Sequence, residues 1–285
     1  MMIDVALVGC GHMGRHHART IDAAAGARLV AVVDIRKERA QAIAERTGAR
    51  VDQVIPGSVD AVVIATPTTT HAQLAGPLLD RGQWCLVEKP MAASPDEAKG
   101  LDTPRLVVGH SERFNPAVRA LGACRPKLVQ SRRMAPPGRR ARDVDVVLDL
   151  MIHDLDLVLC WADPSHSVEI IDAAGVGRGG WDVASVRVRV GDMVASLSAS
   201  RVAEKVERIA VVSEPGRSAA LDLLRGVART DNGPLPPVDG RDALTAQWDA
   251  FARAVRGEPS ESPTGTQGLA ALRLAARVCE ALEGR

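Results

Sequence analysis

Aliphatic runs alternate with longer amphipathic stretches over positions 3–108, and this alternation predicts parallel strands joined by helices. The strand candidates are residues 3–8, 29–33, 59–65, 84–87 and 106–108. Between them, residues 16–25, 37–47, 71–80 and a short 95–101 carry helical spacing. After Gly109 the pattern changes. Residues 115–121 and 147–160 read as helices, whereas 167–176, 184–190, 193–199, 208–213 and 218–224 read as strands with short links, which implies an antiparallel sheet. The alternation of Val186, Arg187, Val188, Arg189 and Val190 leaves one face of that sheet polar. A Gly/Pro-rich loop at 231–237 leads to two closing helices, 241–255 and 265–282. The expectation is therefore an α/β chain. A doubly wound parallel sheet forms a dinucleotide-binding domain at 1–112, and an α/β domain with an open, mostly antiparallel sheet follows at 113–285, its closing helices able to pack back on the first domain.

Composition narrows the class. With 285 residues, 25% of them charged and a net charge of +1, the chain is globular and has no overall field suited to nucleic acid. It contains no Tyr, two Phe and four Trp, so its core must be aliphatic. Neither a secretory leader nor an apolar run of membrane-spanning length is legible. Five cysteines without a paired spacing, at 10, 85, 124, 160 and 279, point to reduced thiols and a cytoplasmic protein. No cluster has metal-ligand spacing.

The candidate chemistry starts at the first strand. Gly9-Cys10-Gly11-His12-Met13-Gly14 follows a buried-type run and opens a helix, and Asp34 ends the next run twenty residues after Gly14. In that context Gly9 allows a tight turn, Gly11 lets backbone N–H groups approach a pyrophosphate, and Gly14 lets helix and strand pack closely. Asp34 is placed to bond a ribose diol, with Arg36 two residues away. Thr66, Pro67 and His71 follow the strand at 59–65, and Glu88, Lys89 and Pro90 follow the strand at 84–87. Both segments fall at carboxyl ends of strands, the edge where such sheets bind ligands. Alone, Lys89 reads more readily as a surface-loop charge.

Asp149 and His153 are four apart, so a helix puts them on one face, an arrangement suited to acid–base work. A solvated helix face explains the pair as well. From Arg113 to Arg142 there are nine Arg or Lys and no acid. A diphosphate or carboxylate would be attracted there, although a solvated basic loop has the same composition.

Taken in order, the glycine turn, Ala65-Thr66-Pro67 with His71, Glu88-Lys89-Pro90 and Asp149-x-x-x-His153-Asp154 resemble the Gfo/Idh/MocA oxidoreductase family across essentially the whole chain. The resemblance implies a Rossmann domain, bound NAD or NADP and catalytic roles for Lys89, Asp149 and His153. It also implies cofactor contacts from Gly9, Gly11, His12, Met13, Gly14, Asp34, Arg36, Thr66, Pro67, His71, Glu88 and Lys89. Within the family, the segments around Arg113-Phe114-Asn115 and 143–154 look most like the UDP-N-acetylglucosamine 3-dehydrogenase branch. That likeness implies a nucleotide-sugar substrate met by Arg113, Asn115, Arg139 and Arg140. A polyol or inositol dehydrogenase of the same family and a non-catalytic NAD(P)-binding regulator are the alternatives. A homodimer or homotetramer through the C-terminal sheet is expected, with no nucleic-acid or membrane partner.

Overall fold

The computed structural model describes residues 1–138 and 144–284. Two compact units emerge, Met1–His110 with Leu244–Leu269, and Ser111–Ala243 with Ala270–Arg285. The first runs β1 (Ile3–Val8), α1 (His12–Ala23), β2 (Ala27–Val33), α2 (Lys37–Thr47), β3 (Arg50–Val51), β4 (Ala61–Ile64), α3 (His71–Asp80), β5 (Trp84–Val87) and β6 (Leu106–Val108). All neighbouring strands are parallel, in the order β3-β2-β1-β4-β5-β6. The order reverses between β1 and β4, so the loops leaving these two strands diverge at their carboxyl ends and leave room for a ligand. Val5, Leu7, Val63 and Leu86 are fully or almost fully buried, as expected of a sheet covered on both faces.

Two differences from the sequence reading stand out in the first unit. Helix α1 starts at His12, because the glycine turn feeds straight into it and Gly14 lies inside its first turn. Residues 95–101 form successive turns instead of a helix. Bonds such as Lys99 N–H to Asp96 C=O and Leu101 N–H to Ala98 C=O span only three residues. So short a segment cannot repay helix nucleation, and Gly100 turns left-handed at φ 81°.

The second unit contains α4 (Pro116–Arg119), β7 (Leu128–Met134), a π-helical turn (Val147–Met151), α5 (Ile152–Trp161), β8 (Val168–Val176), β9 (Val183–Val190), β10 (Met193–Ser200), β11 (Glu207–Glu214), β12 (Arg217–Asp222), β13 (Val227–Thr230) and β14 (Gly233–Pro234). Its eight-stranded sheet has the order β14-β13-β12-β11-β7-β10-β9-β8. Only β7 and β10 run parallel among the described pairs. Val186, Val188, Ala195 and Leu197 pack beneath Met151, Ile152 and Leu155 on one face. Ser185, Arg187 and Arg189 alternate outward on β9. The closing helices are α6 (Ala243–Val255) and α7 (Gly265–Glu283). Trp248 and Phe251 of α6 join the core of the first unit, and Leu274, Val278 and Leu282 of α7 join that of the second. No described helix is long and apolar enough to cross a membrane.

Candidate active site

In the first unit the three motif glycines answer different demands. A Cβ on Gly9, whose φ is +88°, would lie 2.5 Å from the Ala65 carbonyl oxygen, and one on Gly14 would lie 1.9 Å from the Gly9 oxygen. These two are required by the protein's own packing. Gly11 is different, since a Cβ there would meet nothing within 4 Å. It precedes α1, which has neither a side-chain cap nor an acid in its first turn. Open space beside uncapped N–H groups at a helix N-terminus suits a pyrophosphate. His12 is exposed with its ring edge-on to His16, and Met13 is half-buried.

Asp34 is held in place by two backbone donors: its Oδ2 accepts from Cys10 N–H at 2.6 Å and its Oδ1 from Arg36 N–H at 2.7 Å. Each oxygen retains a lone pair for a diol. Ile35 beside it is fully exposed, an apolar side chain that a purine face would cover and that sequence reading passed over. Cys10 is a small filler, not a nucleophile: burial, reinforced by the Asp34 charge, pushes its thiol up to about 12.

Glu88 and His71 each hold neighbouring segments of the first unit together. Glu88 is buried and its Oε1 lies 2.7 Å from His17 Nε2, which ties the loop after β5 to α1. Burial pushes the Glu88 carboxyl up, but the His17 hydrogen bond and the charges of His17, Lys89 and His71 carry it below its ordinary value. Gly109 makes room for it, since a Cβ there would sit 3.2 Å from the Glu88 carboxylate. The buried His71 ring has Nδ1 2.8 Å from Pro90 C=O and Nε2 3.0 Å from Thr66 C=O. His71 thereby links the half-buried Thr66 and exposed Pro67 to the segment that carries half-buried Lys89, whose bond to Pro90 is cis.

In the second unit, Asp149 lies in the π turn and His153 in the first turn of α5, both half-buried. Asp145 Oδ1 accepts from the Val147 and Leu148 N–H groups and starts the turn. A π turn is rare and recurs at functional sites, and the spacing of apolar residues did not reveal it.

Among the described residues of the basic stretch, five cations pair with acids far away in sequence. Arg113 makes a two-pronged pair with Asp156 at 2.7 and 2.8 Å, and Asn115 caps α4 while donating to Glu112 and to Leu223 C=O. Through these bonds both residues hold the fold together. Arg119 pairs with Asp239, Lys127 with Asp192, and Arg132 with Glu207. Arg133, the most enclosed, donates to Asp154 with two nitrogens and to Glu112 with the third. Arg139 and Arg140 lie outside the described residues.

Comparison with known proteins agrees with this arrangement. Residues 3–103 match the model of an oxidoreductase family with an NAD-binding Rossmann fold. The UDP-N-acetylglucosamine 3-dehydrogenase of Acidithiobacillus ferrooxidans is 33% identical over 97% of this chain and 96% of its own. Its solved structure superposes with a TM-score of 0.89, covering 100% of this chain and 99% of that one. Inositol 2-dehydrogenase of Rhizobium meliloti is 30% identical over 96% of this chain and 95% of its own. GenD2 of gentamicin A biosynthesis, solved in complex with NAD, shares the fold with a TM-score of 0.83 at 24% identity, over 100% of this chain and 95% of that one. With the glycine cradle and Asp34 fitting a dinucleotide and full-length relatives at 33% and 30% identity, the chain belongs to the Gfo/Idh/MocA family of NAD-binding oxidoreductases.

Proposed function

We propose that this cytoplasmic enzyme oxidises a secondary alcohol on a nucleotide-linked sugar, C3 of UDP-N-acetylglucosamine. The observation that carries the proposal is the full-length likeness to the Acidithiobacillus enzyme, at 33% identity with a TM-score of 0.89. When bound, NAD supplies the hydride acceptor. His153 takes the proton of the reacting hydroxyl on an imidazole nitrogen, Lys89 stabilises the developing alkoxide, and Asp149 orients His153 or bonds a neighbouring hydroxyl. His71 and Glu88 position Lys89 from behind.

The test is a substrate panel followed at the reduced-nicotinamide absorbance, with mass spectrometry of the trapped keto product. UDP-N-acetylglucosamine is expected to exceed free N-acetylglucosamine and myo-inositol by about ten- to a hundredfold in kcat/KM for each charge-assisted phosphate contact. Comparable activity on inositol, or a keto group at C4 or C6, overturns the proposal. The second reading, an inositol-type dehydrogenase, is favoured by the 30% identical relative and by the arginines already paired within the fold.

Asp34 sets the cofactor preference. Its carboxylate accepts from a ribose 2′-OH and repels a 2′-phosphate, so catalytic efficiency is expected to be higher with NAD than with NADP. The exposed Arg36 side chain keeps this a preference, because it can swing toward a phosphate. Equal or better efficiency with NADP contradicts the assignment.

Self-association through the open face of the eight-stranded sheet belongs to the same proposal. Leu128, Ile209 and Val211 are exposed there on the adjacent strands β7 and β11. Light scattering distinguishes an assembly from a monomer, and a monomer at working concentration rules it out.

A further inference from the structure

Among the described residues of the second unit is a half-exposed guanidinium that makes an ion pair but no hydrogen bond of good geometry. Arg208, on β11, sits directly opposite Arg133 of β7 and points to the same side of the sheet as the buried Ala210 and Val212. Its Nη1 lies 3.6 Å from Glu112 Oε1, close enough to feel the charge but too far for a good hydrogen bond. Two closer donors already engage Glu112. Its Oε1 already accepts from Arg133 Nη1 at 2.8 Å, and its Oε2 from Asn115 Nδ2 at 2.9 Å. The neighbouring guanidinium of Arg133 is 2% exposed and that of Arg113 is 10% exposed, both in two-pronged pairs, whereas Arg208 is 42% exposed. Asp149, one of the proposed catalytic groups, is among the acids whose charge acts on Arg208.

We infer that Arg208 is a substrate-recognition residue, donating to a phosphate oxygen of the sugar substrate whose reacting hydroxyl is handled by Asp149 and His153. The inference rests on the nucleotide-sugar reading above and names the residue that recognises its anion. An arginine fork suits phosphate because two parallel N–H groups can meet two oxygens. Partial burial, and then the charge of Arg133, lower the Arg208 pKa below its ordinary value, and an incoming anion relieves both penalties. A purely structural role, as counter-charge to Glu112 and Asp154, is the competing explanation.

The two are separated by titrating the full-length protein with UDP, and separately with NAD, in Arg208→Gln and Arg208→Lys variants. Arg208→Gln is expected to weaken UDP binding by about ten- to a hundredfold and to raise KM for the UDP-sugar with little change in kcat. NAD affinity and Tm should stay at parental values. Arg208→Lys should recover part of the UDP affinity, since it restores the charge without the fork. Undiminished UDP binding in Arg208→Gln overturns the inference while leaving the substrate proposal standing. A fall in Tm with equal loss of both ligands also overturns it, in favour of the structural role. If the parent protein does not bind UDP at all, the nucleotide-sugar reading fails first and this inference falls with it.

Discussion

His153→Asn is expected to lower turnover by about two to four orders of magnitude, the usual effect of removing a general base. Asn preserves a polar side chain of similar reach but cannot take up a proton near neutral pH. His153 sits in the first turn of α5 in the second unit, whereas the glycine turn, Asp34, Thr66 and Lys89 all belong to the first. NAD affinity measured by titration should therefore be unchanged while kcat falls. Lys89→Met, which keeps the aliphatic stem and removes the charge, should act likewise on kcat. Near-parental turnover of either variant on the true substrate would mean that the residue is structural.

Arg133→Ala should be the most damaging substitution for stability. The Arg133 side chain is 2% exposed, and burial alone would pull its pKa down, yet the charges and hydrogen bonds of Asp154 and Glu112 lift it above its ordinary value. Removing it strands two carboxylates that are themselves 4% and 7% exposed. Breaking a buried pair in this way costs about 3–5 kcal/mol, because the surviving charges lose the cation that compensated their burial. In thermal melting this corresponds to a fall in Tm of roughly 10 °C. Arg133→Met combined with Glu112→Gln and Asp154→Asn should recover much of the loss, since no uncompensated charge then remains. A melting temperature for Arg133→Ala within a degree or so of the parent would show that the network contributes little.

The nucleotide-binding half was legible because its information is local. Parallel strands buried on both faces read as unbroken aliphatic runs. Thus β1, β5 and β6, with helices α2 and α3, occur at the residues that periodicity predicts. The glycine spacing and Asp34 carry their own chemistry in sequence order. The alternation of β8 to β12 was visible for the same reason, as each strand repeats every second residue.

Strand β7 escaped because its buried face is Val129, Ser131 and Arg133, which looks polar until partners are known. Neighbours along the chain also hid the partners of five cations in the basic stretch. Arg113 finds Asp156 43 residues away, and Arg119 finds Asp239 120 residues away. The π turn left no trace either, since it changes the number of residues per turn without changing the hydrophobic pattern. His17 meeting Glu88, and His71 bracketing Thr66 and Pro90, likewise join loops from separate strands. On its own, then, the sequence determined the family's secondary-structure frame and the residue types of the chemistry. Tertiary structure alone decided which charges are spent on the fold and which remain for a ligand. The physical reason is that hydrophobic periodicity is imposed by near neighbours, whereas a buried charge is tolerable only beside a partner that folding brings from a distance.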